Sequence, residues 1–505
     1  MALHLCRCTA RAFSSRGGSL RAIPLAGLGR PSGLARSGSV RSHAAATPAA
    51  GAAPAPAAAA AASEGSGSAE VEKPEEDGEN EIPPEVADLF DTLRDEALRR
   101  LDEFGPIHLF SLCWAYSTAR LLDDNLQQRI TGAALRLGQK RDREGRPKQV
   151  EEAGQPEELD RREEAEDNVP RIVQQTDHWM ALYKPPNWMV NVDSKEAAKA
   201  ASVAPFEDDE DDGDGEEEAV AAEFASEEQR RRPKLHTWIR HNLAGSFPIC
   251  SDPLEAFGLL HRLDAQTSGL LLCAKTYVGA YWLRLQWCSY AVDKEYICLV
   301  HGWVDRKERE IHKRIRVDKK KAPNSRKTVS THCTVGASGK PSYTELFTLA
   351  HLTRPGEDSS HEETESQQAS DSKYSLVVLK LHTGRTHQIR VHMQSIGHPL
   401  VTDAKYADNF YAADRTWCPR NFLHTYRLGF DDVPALPGQK GDSSGDGADN
   451  SGLVELRTAL PADLRATLAA LQPVDDVSAG HHATWLTTDT SKMVPFDEYV
   501  PEVGA

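Results

Sequence analysis

The stretch His261–Leu272, HRLDAQTSGLLL, decides how the rest of this 505-residue sequence is interpreted. Apolar runs lie on both sides of a short polar loop, which predicts a strand, a loop and a second strand. Asp264 therefore sits where buried strands meet an open loop. Burial raises the pKa of a carboxylate unless a cation keeps it ionised, so we expect a cationic partner. Taken alone, however, an aspartate in a turn is most simply a capping or Asx-turn residue.

Candidate cations lie in a second polar motif, Leu381–Tyr406, which reads LHTGRTHQIRVHMQSIGHPLVTDAKY. It contains Arg385 and Arg390, and its segment THQIRVHMQSIG has apolar residues at helical spacing. Between the two motifs, KEYICLVHG alternates as a strand and carries Tyr296. Taken singly, the arginines are surface ion pairs and Tyr296 is a half-buried strand residue. The histidines of both motifs are more simply structural hydrogen-bonding groups, because their spacing fits no metal-ligand pattern.

Composition divides the chain before this region. Residues 1–62 are predicted to be a transit peptide and an Ala/Pro linker, because the first sixty residues hold seven arginines and no acid; a disordered tail is the alternative. An acidic linker (63–81), a helical region (82–140) and a charged linker (141–168) follow. The apolar periodicity of the helical region predicts two or three helices. They form an isolated bundle, one unit of a helical array or, most simply, a plain helical extension.

A strand-rich domain is predicted over 169–430, with an acidic insert at about 194–232 and a polar insert at about 354–372. A C-terminal extension with a short helix covers 431–505. Many strands with few helices between them indicate an α+β domain built on a mixed, mainly antiparallel sheet.

Charge is distributed unevenly. The formal net charge of −17 at first argues against nucleic acid, but the acids concentrate in runs with few apolar residues. A strongly cationic stretch runs from Arg306 to Lys327 and is either a solvated loop or a surface that faces RNA. The nine scattered cysteines include no CxxC pair, which indicates neither a zinc site nor a disulfide framework and favours a reducing compartment. No apolar run approaches the roughly 18–20 residues that a membrane span needs, so no membrane partner is expected.

Three motifs occur in a fixed order: HRLDxxTSGLLL, KxYxxLVxG and LxTGRTHQIRVHMxxIGHPLVxDxxY. They are similar to the signature motifs of the RluA family of pseudouridine synthases. YKPPNWMVNV resembles the family's first motif, GKPSYTELF its strand after the basic stretch, and RNFLHTYRLGF its closing strand. The resemblance covers roughly 169–430, with a tail to residue 471. It implies the pseudouridine synthase catalytic fold, preceded here by the short helical region and a disordered N-terminus, and a reaction that needs no metal or organic cofactor.

The resemblance also implies roles for single residues. The family cleaves the glycosidic bond of uridine, turns the base and rejoins it through carbon. Carried over, Asp264 is the catalytic carboxylate, Tyr296 stacks on the base, and Arg390 pairs with the aspartate, keeping it ionised and aimed. Arg262 fills the gap that the extruded uridine leaves in the stack. The candidate RNA contacts are Arg262, His261, Thr267, Arg385, His387, Lys320 and Arg326.

RNA, either ribosomal or transfer RNA, is thus the expected partner, in a chloroplast or mitochondrion, or in the cytoplasm if the N-terminus is not a transit peptide. The small RNA-binding domain that often precedes this catalytic domain is not recognisable, so residues 82–140 are candidates for an RNA or protein contact. Thr402 stands where the family usually has Gly. The alternative function is a non-catalytic RNA-binding or ribosome-assembly factor that retains the fold. The intact set of Asp264, Tyr296 and Arg390 argues against it.

Overall fold

The computed structural model describes residues 84–145, 167–190, 232–321, 328–355, 373–434 and 452–499. The predicted transit peptide and Ala/Pro linker (1–62), the acidic linker, and almost all of both inserts lie outside the described residues. The predicted disordered N-terminus lies outside them as well.

The described residues contain twelve strands and nine α-helices. The strands are β1 (Arg171–Gln175), β2 (Trp179–Lys184), β3 (Ser268–Ala274), β4 (Asp293–His301), β5 (Glu310–His312), β6 (Ile315–Lys321), β7 (Thr328–Val335), β8 (Tyr343–Thr353), β9 (Lys373–Leu381), β10 (Leu423–Asp431), β11 (Leu453–Arg457) and β12 (Gln472–Pro473). The helices are α1 (Pro84–Arg100), α2 (Pro106–Thr118), α3 (Asp124–Glu144), α4 (Leu235–Leu243), α5 (Tyr277–Cys288), α6 (Gln388–Ser395), α7 (Asp408–Asp414), α8 (Ala462–Ala469) and α9 (Asp476–Leu486).

One ten-stranded sheet organises the domain. Its order is β1-β2-β3-β10-β4-β9-β8-β12, with β11 also paired to β10 and β5 to β8. Every pairing is antiparallel except that of β3 with β10, which is parallel. The expected α+β domain with a mixed, mainly antiparallel sheet is confirmed.

Strand β4 shows how the sheet separates two cores. Its side chains alternate between faces, as the two-residue period of a strand requires. Tyr296 and Cys298 belong to the core that also contains residues of α5 and α6. Ile297 and Leu299 belong to the core that contains residues of α8 and α9. Both faces are therefore covered, which accounts for the continuous apolar run of this strand.

The N-terminal helices share the first of these cores rather than forming an isolated bundle. Helix α2 begins with Pro106 at its first turn, and Asp123 caps α3 by accepting from the Leu126 amide at 2.8 Å. Gly138 of α3 lies so close to Val278 of α5 that a Cβ would stand 2.7 Å from the Val278 Cα. The helical extension is thus packed directly on the strand-rich domain.

Two sequence-based boundaries need correction. The apolar run before Asp264 is not a strand: after a short 3-10 segment, Pro253–Gly258, it is extended chain with one bridge from Leu259 to Cys273. Positive φ angles at Ala256 and Phe257, 52° and 57°, turn the backbone there and prevent a longer strand pairing.

The C-terminal region is the second correction. The boundary predicted at residue 430 does not mark the end of the domain, because β11 and β12 both join the main sheet. The predicted short helix is present as α8, and a further helix, α9, follows. Leu464 of α8 and Trp485 of α9 are fully buried in the second core. This region is therefore structural to the sheet.

The cationic stretch contributes β5, β6 and the start of a hairpin. Strands β6 and β7 pair antiparallel as a separate two-stranded sheet.

Among the described residues, no helix has both the length and the apolarity required to span a membrane.

Candidate active site

The candidate catalytic aspartate lies on a short turn, Asp264–Ser268, which we call the aspartate loop. The Thr267 amide donates to the Asp264 carbonyl at 3.1 Å and closes the turn. Gly269 follows with a φ of 123°, and a Cβ there would collide with the backbone carbonyl of Thr425 in β10. Only glycine allows the strand after the loop to approach β10 this closely. The aspartate loop is therefore fixed at its end by the parallel pair of β3 and β10.

Arg390 joins two carboxylates. Its Nη1 donates to Oδ2 of Asp264 at 2.9 Å, while Nε and Nη2 donate to the two oxygens of Asp403 at 2.7 and 2.8 Å. Oδ1 of Asp403 also accepts the amides of Lys405 and Tyr406, at 3.0 and 3.1 Å. Asp403 thus orients the guanidinium, and the guanidinium orients Asp264, by bidentate and charge-assisted bonds.

The charge environment keeps Asp264 ionised. Burial opposes ionisation, but the neighbouring cationic groups outweigh it and hold the pKa of Asp264 well below its usual range. His387 and Arg390 are the largest of these opposing influences, and Arg262 adds to them. Burial lowers the pKa of His387 itself to about 3, so this ring is neutral near pH 7. Arg390 is therefore the group that stabilises the carboxylate at neutral pH.

His387 lies beside the carboxylate, with Nε2 3.9 Å from Oδ2 of Asp264. The Cys333 amide donates to Oη of Tyr406 at 3.0 Å, and Oη lies 2.8 Å from Nδ1 of His387. Tyr406 thus links the ring of His387 to the backbone of Cys333 and holds the ring beside Asp264.

A buried lysine binds the backbone of the aspartate loop. Lys184, at the end of β2, is fully buried, and its Nζ donates to the carbonyls of Pro185, Ala265 and Thr267 at 3.0, 3.0 and 2.7 Å. An ammonium has three donors, so these three carbonyls satisfy it. Burial is the main influence that lowers its pKa well below the usual value, and Asp264 opposes this shift.

Tyr296 lies on the sheet face that carries the other candidates. It is 7% exposed and is placed on β4 opposite Thr425 and Leu379. It belongs to the same buried cluster as Leu263 and Ile389, which directly precede Asp264 and Arg390. The three predicted catalytic residues thus come from three separate elements that meet at one core.

Four of the predicted RNA contacts differ in exposure and position. Arg262 is exposed and Arg385 half-buried, with Nε of Arg385 3.3 Å from the Pro341 carbonyl. Lys320 lies in β6 opposite Ser330, and Arg326 lies outside the described residues.

Two further predicted RNA contacts, His261 and Thr267, have partners within the protein. His261 accepts the Leu272 amide at 3.0 Å through Nε2 and stacks on Trp287, with ring centroids 4.4 Å apart. Thr267 is 2% exposed, and its amide closes the turn of the aspartate loop. Both stay predictions as RNA contacts.

Sequence reasoning missed the roles of Lys184, Asp403 and Tyr406. The Lys-Pro pair stands in the first motif, and Asp403 and Tyr406 stand at the end of the second, but the motifs do not show what these side chains contact. That turn begins at Thr402, which adopts the positive φ of 60° that a glycine would favour. The Thr402 amide donates to Asp414 at 2.7 Å and its hydroxyl to the Cys418 carbonyl at 3.2 Å, which holds this conformation without glycine.

Residues 252–395 match the family described as RNA pseudouridylate synthase. The chain is 31% identical over 175 residues to tRNA pseudouridine synthase C of Haemophilus ducreyi, covering 34% of this chain and 65% of that protein. It is 32% identical over 210 residues to RNA pseudouridylate synthase domain-containing protein 1 of Mus musculus, covering 40% and 60%.

A third relative is ribosomal large subunit pseudouridine synthase D of Nitrosomonas europaea, 34% identical over 176 residues, covering 34% of this chain and 43% of that protein. The chain thus matches between about two fifths and just under two thirds of the length of these relatives. The matched segment contains the aspartate loop, β4 and α6. Through this segment, the chain is similar to the RluA family of pseudouridine synthases.

Proposed function

We propose that this protein is an RNA pseudouridine synthase that isomerises specific uridines in structured ribosomal or transfer RNA. The observation that carries the proposal is the state of Asp264. One of its oxygens is held by Arg390, while no hydrogen bond from the described residues reaches the other. An ionised carboxylate with one anchored and one open oxygen suits attack on, or proton removal from, a ribose.

The chemistry requires one bond to break and one to form. The C1′–N1 bond of uridine breaks, the base turns, C1′ bonds to C5, and the hydrogen of C5 is released as a proton to a base while N1 gains a proton. Asp264 either attacks C1′ or assists elimination to a glycal, and both routes remain open. Hydrolytic glycosidases usually place a second carboxylic acid across the bond. Here both oxygens of Asp403 accept hydrogen bonds from Arg390, which leaves Asp264 as the reactive carboxylate.

The residues around Asp264 fit the other steps. Tyr296 is proposed to stack on the target base, because its side chain belongs to the core from which Asp264 and Arg390 project. Arg262 is exposed next to the loop and is proposed to fill the gap in the RNA stack. Extrusion of a base costs a few kcal/mol, and a filling side chain offsets part of that cost.

The names of two relatives, tRNA pseudouridine synthase C and ribosomal large subunit pseudouridine synthase D, support a tRNA or rRNA substrate for this chain. The transit-peptide composition of residues 1–62 supports an organelle as the site of action. A fluorescent protein fused after residue 62 tests whether residues 1–62 direct it to an organelle. Uniform fluorescence in the cytoplasm would reject this localisation.

The function is tested by mapping pseudouridine in organelle and cytoplasmic RNA from cells that carry no protein, wild-type protein or Asp264→Ala. We expect at least one pseudouridine to depend on the wild-type protein and to be missing in both other strains. A map that is identical in all three strains rejects the enzyme. Rescue of a null phenotype by Asp264→Ala would instead support the non-catalytic RNA-binding or ribosome-assembly factor.

A further inference from the structure

We propose that Arg420 and Asp463 are positioning residues for Asp264, so that helix α8 of the C-terminal region takes part in catalysis. Arg420 lies in the chain just before β10, separated from it by Asn421 and Phe422, and Asp463 lies in the first turn of α8. Both residues lie after the matched segment 252–395, and Arg420 begins the motif RNFLHTYRLGF. The inference rests on the proposed function for its kinetic consequence, but its structural consequence is independent of it.

Arg420 binds parts of the aspartate loop that Lys184 does not contact. Its guanidinium is 4% exposed, and Nη1 donates to the Gln266 carbonyl at 3.0 Å. Nη2 donates to Oγ of Ser268 at 2.9 Å. The Asn421 amide adds a longer bond to Oε1 of Gln266, at 3.3 Å. The loop is therefore bound through both its backbone and its side chains.

Lys184 and Arg420 together bind most of the backbone carbonyls of the aspartate loop. The carbonyls of Ala265 and Thr267 accept from Lys184, that of Gln266 accepts from Arg420, and that of Asp264 accepts from the Thr267 amide. Four consecutive carbonyls thus have specific partners. A loop bound in this way presents the Asp264 carboxylate in one position before any substrate arrives.

Asp463 supplies the counter-charge that holds Arg420 in place. Nε of Arg420 donates to Oδ2 at 2.6 Å and Nη2 to Oδ1 at 3.2 Å. Among the described residues, Asp463 is the sole carboxylate within ion-pair distance of this guanidinium. The amide of Ala462, one residue earlier, donates to Asp167 at 2.8 Å and fixes the start of α8. A buried cation that loses its partner is strongly destabilised, so the guanidinium would shift toward solvent.

The environment of Ser268 favours this arrangement. Its Oγ lies 2.9 Å from Nδ1 of His424, which is fully buried. Burial, assisted by the charge of Arg420, lowers the pKa of His424 to about 3, so this ring is neutral near pH 7. The neutral ring therefore adds no positive charge beside Arg420.

The test uses the full chain and Asp463→Asn, which removes the charge with little change in size. The substrate probe is a pool of unmodified ribosomal and transfer RNA transcripts carrying tritium at C5 of uridine, because the reaction releases that hydrogen. Single-turnover rate, RNA affinity and melting temperature are measured. We expect the rate to fall by about 10- to 100-fold, as for a displaced catalytic group, while RNA affinity stays unchanged. Asp463→Glu, which keeps the charge but shifts it by one methylene, should lose less.

The matched control is Asp497→Asn, which breaks the pair of Asp497 with Lys380 (2.7 Å) in the same C-terminal region, with Asp497 65% exposed. It should have the wild-type rate. If Asp463→Asn remains folded at the assay temperature with a wild-type rate, or loses RNA affinity alone, the positioning role is rejected.

Amide hydrogen exchange separates this result from failure of the proposed function. In Asp463→Asn, and in Asp463→Glu should the first variant not fold, we expect faster exchange of the Thr267 amide than in wild type. Unchanged exchange overturns the positioning role whether or not the transcripts react. Wild-type protein that releases no tritium from any transcript counts against the proposed function alone.

Discussion

Two buried ion-pair networks in this molecule have opposite arrangements. In the aspartate network, the cation Arg390 lies between two anions, Asp264 and Asp403. In the junction network, where the N-terminal helices meet the domain, the anion Glu255 lies between two cations, Arg141 of α3 and Arg284 of α5.

The networks differ in how completely their carboxylates are bonded. Both oxygens of Glu255 are paired with arginine, and Oε1 also accepts from Oη of Tyr281 at 3.0 Å. Arg141 has a further partner in Asp252, at 2.8 Å. Asp264, whose side chain is 27% exposed, accepts hydrogen bonds from the described residues through one oxygen only. A closed network serves to join two parts of a fold, whereas an open carboxylate beside a fixed cation is available to substrate.

The largest effect is expected from removing the central group of the aspartate network with Arg390→Gln. Turnover at neutral pH should fall by on the order of 10³-fold, because an aimed charge is lost, while RNA affinity is largely retained. The pKa of Asp264 should rise, so the remaining activity should increase with pH as the carboxylate ionises. Arg390→Lys, which keeps the charge but not the three-bond geometry, is the matched control. Wild-type turnover in Arg390→Gln would remove the functional distinction between the networks.

The corresponding change at the junction is Glu255→Gln. It leaves the buried cation Arg284 and the half-buried Arg141 without their shared carboxylate, so the free energy of unfolding should fall by about 3–5 kcal/mol. The single-turnover rate of the folded fraction should be unchanged. Urea unfolding and the tritium assay measure both quantities. Glu144→Gln, at an exposed position 3.9 Å from Lys140, should change neither. A slowed reaction at full folding would show that the junction also controls the site.

A smaller effect is expected from Asp403→Asn, which leaves Arg390 in place but weakens its anchor. Turnover should fall by about 100-fold, as for a displaced catalytic group, with RNA affinity intact. The comparison variant is Asp408→Asn, an exposed position on α7. If the two variants react equally fast, Arg390 is oriented by something other than Asp403.

The most gradual effect is expected on the free energy of unfolding when the pH is lowered. Burial lowers the pKa of His261, His387 and His424 to about 3 and that of His392 to about 4. The unfolded chain therefore binds more protons than the folded chain below a pH of about 6.5. The contribution of these four rings to the free energy of unfolding should be constant above that pH and decline as the pH falls toward 4.

Three of these rings, His261, His387 and His424, flank or face the aspartate loop. The protection of the loop amides, measured as their exchange rate relative to the intrinsic rate at the same pH, should consequently fall in acid before that of α3 and α5 does. A free energy of unfolding that stays level from pH 8 to about pH 4.5 would contradict the assignment of neutral buried rings.

The sequence was most informative where chemistry is encoded in contiguous motifs. The pairing of Arg390 with Asp264 followed from the family resemblance, and the structure contains it. The α+β sheet followed from strand periodicity. Local apolarity misled at the run before Asp264, because positive φ angles at Ala256 and Phe257 cannot be read from apolar content.

What the sequence could not provide is the set of long-range partners. Lys184 reaches the aspartate loop across 81 residues and Arg420 across 154. No local sequence pattern shows which of the chain's many lysines and arginines will bind the backbone of this turn. The role of α3 was similarly hidden, because Gly138 and Asp142 acquire meaning only against the start of α5, where Asp142 accepts the Tyr277 and Val278 amides.

The parallel pairing of β3 with β10 has a consequence for the order of folding. Ser268 and His424 are 156 residues apart, and contacts at such separation form slowly. During synthesis the N-terminal part of the chain emerges first. Asp264, Tyr296 and Arg390 are all made before β10, yet the aspartate loop gains its final shape only when β10 pairs beside it. A nascent or truncated chain that ends before β10 would therefore carry every candidate catalytic residue and still leave RNA unmodified.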